Sequence, residues 1–203
     1  MVNGKDSGTM AQRVTIDLSY PDWVTHLAPV QDWAEARFSQ ARRNFVSAFK
    51  VSPFRKMDLN FHLTNTSSTY RYAGRYVTLM LRFSWYVGGP YGDDWIETIT
   101  YDMRGQRFID IYDLFEDEKA AGAELAKQVR QRAKGDILRL MGKRDEVAAS
   151  NLTNFRTFAL TDTAMLLFLP PYGFHTVFSG DETIGIPLTE LSDLLTLTVE
   201  AEG

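Results

Sequence analysis

Hydrophobic and polar residues alternate along several stretches of this chain, and the longest alternation runs from Tyr76 to Val87. Val77, Leu79, Leu81, Phe83, Trp85 and Val87 share one parity, while Thr78, Arg82, Ser84 and Tyr86 share the other. A period of two sends successive side chains to opposite faces, so the pattern predicts a long antiparallel strand with one wet face. Trp95 to Met103, WIETITYDM, follows as its partner across a seven-residue connection, Gly88 to Asp94, and RGQ then turns the chain into RFIDI. Shorter alternations at Arg13 to Leu18 (Val14, Ile16, Leu18) and Met57 to Asn65 (Leu59, Phe61, Leu63) predict two further strands.

Two stretches repeat at the helical period instead. Ala34, Phe38, Ala41, Phe45 and Phe49 form one apolar stripe after Pro29, with Glu35, Arg37, Arg42 and Arg43 on the opposite side. Leu125, Val129, Ala133, Ile137 and Leu140 form a second stripe, and Asp117 and Glu118 stand where a helix N-terminus favours negative charge. Thr163 to Leu169, TAMLLFL, is apolar without a period and bounded by Asp162 and Pro170, which predicts a buried central strand. ETIGIP reads as a short strand stopped by Pro187, LTELSDLL as a helical turn, and TLTVEA as a last polar-apolar run. Together these elements predict an α+β fold with a mostly antiparallel sheet and two main helices. A small N-terminal strand-helix lobe, residues 12–72, precedes a larger C-terminal lobe, 73–199, and residues 1–11 read as a flexible tail.

Composition narrows the functional classes. At 203 residues and 44% hydrophobic content the chain can bury a core of its own. Its net charge of −4 argues against nucleic-acid or anionic-membrane binding and leaves room for a cationic protein partner. The absence of cysteine excludes disulfides and thiolate zinc sites. No apolar run reaches the length of a membrane span, and MVNGKDSGTMAQ lacks the apolar stretch of a leader.

The search for reaction chemistry finds little. His26, His62 and His175 lie far apart, with no metal-ligand spacing, and no nucleotide, dinucleotide or serine-hydrolase motif is present, so no metal and no cofactor is expected. Carboxylates gather at Asp93-Asp94 and at Asp110, Asp113, Glu116, Asp117 and Glu118. A glycosidase pair or a calcium site could draw on such groups, but solvated turns are the commoner use of them. The residual peculiarity is aromatic: Tyr86, Tyr91 and Trp95 flank the Gly-Gly turn of WYVGGPYGDDW, and Tyr172, Phe174 and Phe178 sit in LPPYGFHTVFSG. Tyrosines in stiff Gly/Pro turns offer large contact area at low entropic cost, as recognition loops do, and they also cap cores routinely.

Several of these stretches, in order, resemble one family. WYVGG, then TYDMRGQRFIDIYDLF, then FALTDTAMLLFLPPYGFHTVFSG and TIGIPLTELSDLL are similar to the Gly-Gly loop, Asp-bearing hairpin, L-x-D-L-F turn and I-P-x-x-x-L ending of the RsiV-like C-terminal domain. Val14 to Phe49 is similar to the small strand-helix domain that usually precedes it, so the likeness covers about residues 12 to 197. Where the family often has Ala-His after Gly-Gly, this chain has Pro90-Tyr91. The resemblance implies a non-enzymatic, periplasmic or cell-surface recognition domain. Its partner would be a cationic cell-wall-associated protein such as lysozyme, or peptidoglycan, and such a placement requires a leader upstream. The family also occurs as an accessory module beside peptidoglycan deacetylases of the PdaC type, and a weak glycan or acyl hydrolase using the acidic residues with His175 is the alternative. In the recognition reading Gly88 and Gly89 permit a positive-φ turn, Pro90 stiffens it, and Tyr91 is an insertable anchor. Asp93 and Asp94 steer a cationic partner, while Pro171, Tyr172 and Phe174 add a second aromatic contact.

Overall fold

The computed structural model describes residues 13–133, 150–169 and 182–197. The fold is α+β. A five-stranded sheet has the order β1 (Arg13–Asp17), β2 (Asn60–Tyr72), β3 (Tyr76–Tyr86), β4 (Asp93–Asp102) and β5 (Arg107–Ile109). A three-stranded sheet is formed by β6 (Phe158–Leu160), β7 (Ala164–Leu169) and β8 (Glu182–Pro187), with antiparallel pairing throughout. The helices are α1 (Ala28–Val51) and α2 (Glu118–Arg132). The chain divides into two compact units: the described part of Met1–Thr66 with Phe83–Asp94, and that of Ser67–Arg82 with Trp95–Gly203.

In the first unit β1 pairs parallel with β2, Val14 opposite Phe61 and Ile16 opposite Leu63, so a crossover must connect them, and α1 supplies it. Along α1, Ala34, Phe38, Ala41 and Phe45 of the helical stripe read from the sequence are buried, joined by Val30, while Phe49 is half-buried. Its aromatics meet those of the strands, Phe38 edge-on to Phe83 at 6.1 Å, Phe49 edge-on to Phe61 at 4.9 Å and Phe45 against Trp85 at 6.4 Å. Asn65 ties the end of β1 to β2 by accepting from the Ser19 amide and donating to the Ser19 carbonyl, both at 2.8 Å. Pro29 starts α1 in its first turn, where a missing amide hydrogen costs nothing, and the chain leaves the helix at Ser52-Pro53.

The second unit packs α2 through Ala121, Leu125, Ala126 and Val129 against Ile111, Leu114, Phe155, Leu160, Met165, Leu167, Ile184 and Ile186. As its aperiodic apolar run predicts, β7 is the central strand of the small sheet, with Met165, Leu167, Phe168 and Leu169 buried. A smaller cluster joins Met80, Ile96, Ala159 and Phe168, with Tyr70 packed on it. Gly122 lies so close to the chain at Ser150 that a Cβ would come within 1.9 Å of the Ser150 carbonyl oxygen, which accounts for a glycine inside α2.

Two boundaries differ from expectation. β2 continues to Tyr72, beyond the expected end at Asn65, because TSSTYRY forms a hairpin with β3 although it lacks apolar alternation. The turn uses positive φ at Ala73 (51°) and Gly74 (60°). The second apolar stripe ends as α2 at Arg132; Ile137 and Leu140 lie outside the described residues.

Candidate recognition site

The connection between β3 and β4 comprises residues 87–92, so it is shorter than expected and Asp93 and Asp94 belong to β4. The reason is a clasp across its base: the Trp85 indole donates to Asp93 Oδ2 at 2.6 Å and holds the two strands together up to that level. Higher up, the Tyr86 hydroxyl donates to the Gly89 carbonyl at 2.8 Å. From α1's end the Ser52 hydroxyl donates to the Val87 carbonyl at 2.6 Å, while its oxygen accepts from the Phe54 amide at 3.2 Å.

The glycines fit this bracing. Gly88 and Gly89 have φ of 94° and 107°, in the region that side chains resist. A Cβ on Gly88 would stand 2.3 Å from the Phe54 Cβ, so the loop backbone lies directly on the Phe54 side chain. A Cβ on Gly92 would meet the Trp85 carbonyl oxygen at 2.7 Å. Above this base Pro90 and Asp94 are exposed, and Tyr91 is 57% exposed. The loop is thus a braced turn presenting one tyrosine. Asp93, half-buried and bonded to Trp85, is part of the brace, whereas Asp94 faces water. Pro171, Tyr172, Phe174 and His175 lie outside the described residues.

Of the other acidic candidates, Glu116 and Glu118 are exposed, and Asp110, Asp113 and Asp117 bond to backbone. Asp110 and Asp113 form a reciprocal capping box around the short helical turn Ile111–Leu114, and Arg107 pairs with Asp113 at 2.8 Å. Asp117 is the N-cap of α2, accepting from the amides of Lys119 and Ala120 at 3.0 and 2.9 Å. Asp102, which sequence reading passed over, is almost fully buried. It takes a bidentate pair from Arg75 at 2.8 and 2.6 Å and the amides of Arg104 and Gly105 at 3.0 Å each. The Arg75 hydrogen bonds, helped by those two amides and opposed by burial, hold its carboxyl at about 2. In the sequence the available signal was an aspartate between an alternating run and an Arg-Gly turn, TYDMRGQ.

Among the described residues no three His, Asp or Glu side chains gather as metal ligands, and no helix is long and apolar enough to cross a membrane. An open cavity of about 480 Å³ sits by the start of α2, beside Tyr112, Glu118, Lys119, Asn151 and Thr153. Its polar groups are largely engaged with one another: Tyr112 shares a hydrogen bond of 2.8 Å with Thr153, and Asn151 accepts from the Thr153 amide at 2.9 Å.

No family model matches the chain. Among solved structures, a member of the DUF3298 family from Bacteroides fragilis NCTC 9343 superimposes with a TM-score of 0.52 at 15% identity, covering 91% of this chain and 75% of that one. The chain has a DUF3298-like fold. A DUF3298 family protein from Pseudomonas aeruginosa PAO1 aligns with a TM-score of 0.48 at 17% identity, over 67% of this chain and 62% of its own. In sequence, the DUF3298-like chain is 26% identical over 132 residues to the peptidoglycan-N-acetylmuramic acid deacetylase PdaC of Bacillus subtilis strain 168. The likeness takes in 61% of this chain and spans about a quarter of that relative's length, 27%.

Proposed function

We propose that this DUF3298-like chain is an accessory recognition module of the bacterial cell envelope, RsiV-like in role, acting outside the cytoplasm by docking and not by turnover. The likeness to part of a peptidoglycan deacetylase supports the setting. The observation that carries docking is the 87–92 turn, braced from Ser52, Trp85 and Tyr86 while Tyr91 remains 57% exposed. A rigid turn loses little conformational entropy on binding, and an exposed tyrosine brings apolar area with a polar tip. Asp94 stands at the rim, where a carboxylate speeds the approach of a cationic protein more than it tightens the complex. Pro171, Tyr172 and Phe174 belong to the same proposal as a second aromatic contact.

The partner on this reading is a cationic cell-wall-associated protein such as lysozyme, with peptidoglycan fragments as the other class. Calorimetric titration of lysozymes and muropeptides into the purified chain tests it. Binding that weakens about tenfold in Tyr91→Ala, a loss typical of an aromatic anchor, is the expected result. No heat with any of these ligands would overturn it.

A further inference from the structure

The net charge of −4 conceals a strong segregation. Residues 36–57 contain Arg37, Arg42, Arg43, Lys50, Arg55 and Lys56 and no acidic residue, which leaves 16 basic against 26 acidic residues in the rest of the chain. All six basic residues are exposed. Arg37 stacks over the Trp33 ring at 5.4 Å, while the other five lie along the C-terminal half of α1 and the segment after it with exposed apolar side chains: Val46 at 38%, Met57 at 53% and Val51 at 83%. Arg43, Val46 and Lys50 stand in line at i, i+3 and i+7, opposite the stripe that α1 buries in its own unit. Arg43 donates to Gln40 Oε1 at 2.7 Å and Arg55 to the Lys50 carbonyl at 2.7 Å.

Basic groups alone would suit any polyanion. Basic groups interleaved with large apolar side chains, on the outward side of one helix, suit an interface that is both charged and oily. We infer that the outer side of the C-terminal half of α1, continued through 53–57, docks on an anionic lipid surface. Arg42, Arg43, Lys50 and Lys56 meet the headgroup phosphates, while Val46, Val51 and Met57 enter the boundary with the acyl chains. The long arginine and lysine stems let the charges stay at headgroup level while the valines go deeper. Sequence composition argued against such a surface because the bulk charge averages over a patch that the fold keeps together. This inference uses none of the 87–92 residues and stands apart from the recognition role proposed for them.

Co-sedimentation of the full chain with vesicles tests it. The expected result is partition onto mixed phosphatidylglycerol–phosphatidylcholine vesicles but not onto phosphatidylcholine alone, lost when salt is raised to about 1 M, where screening acts within ~3 Å. Each basic residue near an anionic surface is worth roughly fivefold in partition, so Arg43→Gln with Lys50→Gln should lower it about 25-fold. The uncharged pair Val46→Ser with Val51→Ser should lower it several-fold at constant charge. All four positions are exposed, so thermal melting should not move. Absence of partition onto the anionic vesicles overturns the inference, as does binding insensitive to either pair. Binding that polyphosphate abolishes and the valine pair leaves intact also overturns it and identifies a soluble polyanion as the ligand.

Discussion

Carboxylates stood out in the sequence at two places, the GGPYGDD connection between β3 and β4 and the stretch from Asp110 to Glu118, and the fold uses the two regions in different ways. In and just before the second stretch the aspartates point at the protein: Asp102 grips Arg75 and two amides, Asp110 and Asp113 close a capping box, and Asp117 caps α2, while Glu116 and Glu118 are exposed. In the β3–β4 connection Asp93 and the Gly89 carbonyl are bonded to Trp85 and Tyr86 at the loop's own base, while Asp94 and Tyr91 are exposed. Where a side chain's hydrogen bonds end therefore separates a structural cluster from a presenting one, and composition does not.

The contrast breaks most visibly at Asp102. Asp102→Ala should cost about 3 kcal/mol in urea unfolding, at the low end for a broken buried pair because Arg75 is 30% exposed and can recover water. The same carboxylate makes a pH signature. Its folded value of about 2 lies below the ordinary 3.8, so its stabilisation is complete above 3.8 and disappears as pH falls through about 2. That component amounts to roughly 2 kcal/mol between pH 5 and pH 2 and should be missing in Asp102→Asn.

In the presenting loop, Gly88→Ala should cost about 2 kcal/mol, since the added Cβ combines an unfavourable positive φ of 94° with a 2.3 Å approach to Phe54. Circular dichroism melts should show the loss, and partner binding should fall with it as the turn shifts off Phe54. Smaller again is Asp117→Ala, which removes the cap of α2 at a cost of about 1 kcal/mol. Smallest for stability is Tyr91→Ala, within about 0.5 kcal/mol of wild type, because the side chain is more than half exposed.

Much of this was legible from the chain. The alternation at 76–87 and the aperiodic run at 163–169 each became a strand, but β3 lacks the expected wet face in its first half, where Tyr76, Thr78 and Met80 are buried along with Val77, Leu79 and Leu81; on that face only Arg82, Ser84 and Tyr86 keep partial exposure. The apolar stripe of α1 was equally direct. The second half of β2 was not, because Thr66 to Tyr72 is held in the sheet by pairing with β3 and carries little apolar signal of its own. The Gly-Gly turn could be placed, but its bracing could not: Ser52 reaches Val87 across 35 residues, and Arg75 reaches Asp102 across 27. Such pairs depend on register and approach, which one-dimensional patterns do not encode. The cationic side of α1 was visible as helix polarity, yet averaging over the whole chain hid its sign.

Recognition through Tyr91 is tested most directly by comparing two variants with one ligand: calorimetric titration of lysozyme into the wild-type chain, Tyr91→Ala and Asp117→Ala, with melting curves on the same samples. A presenting loop predicts that Tyr91→Ala binds about tenfold more weakly at unchanged stability, whereas Asp117→Ala melts earlier and binds as wild type. Lysozyme binding that is equal in wild type and Tyr91→Ala would contradict it.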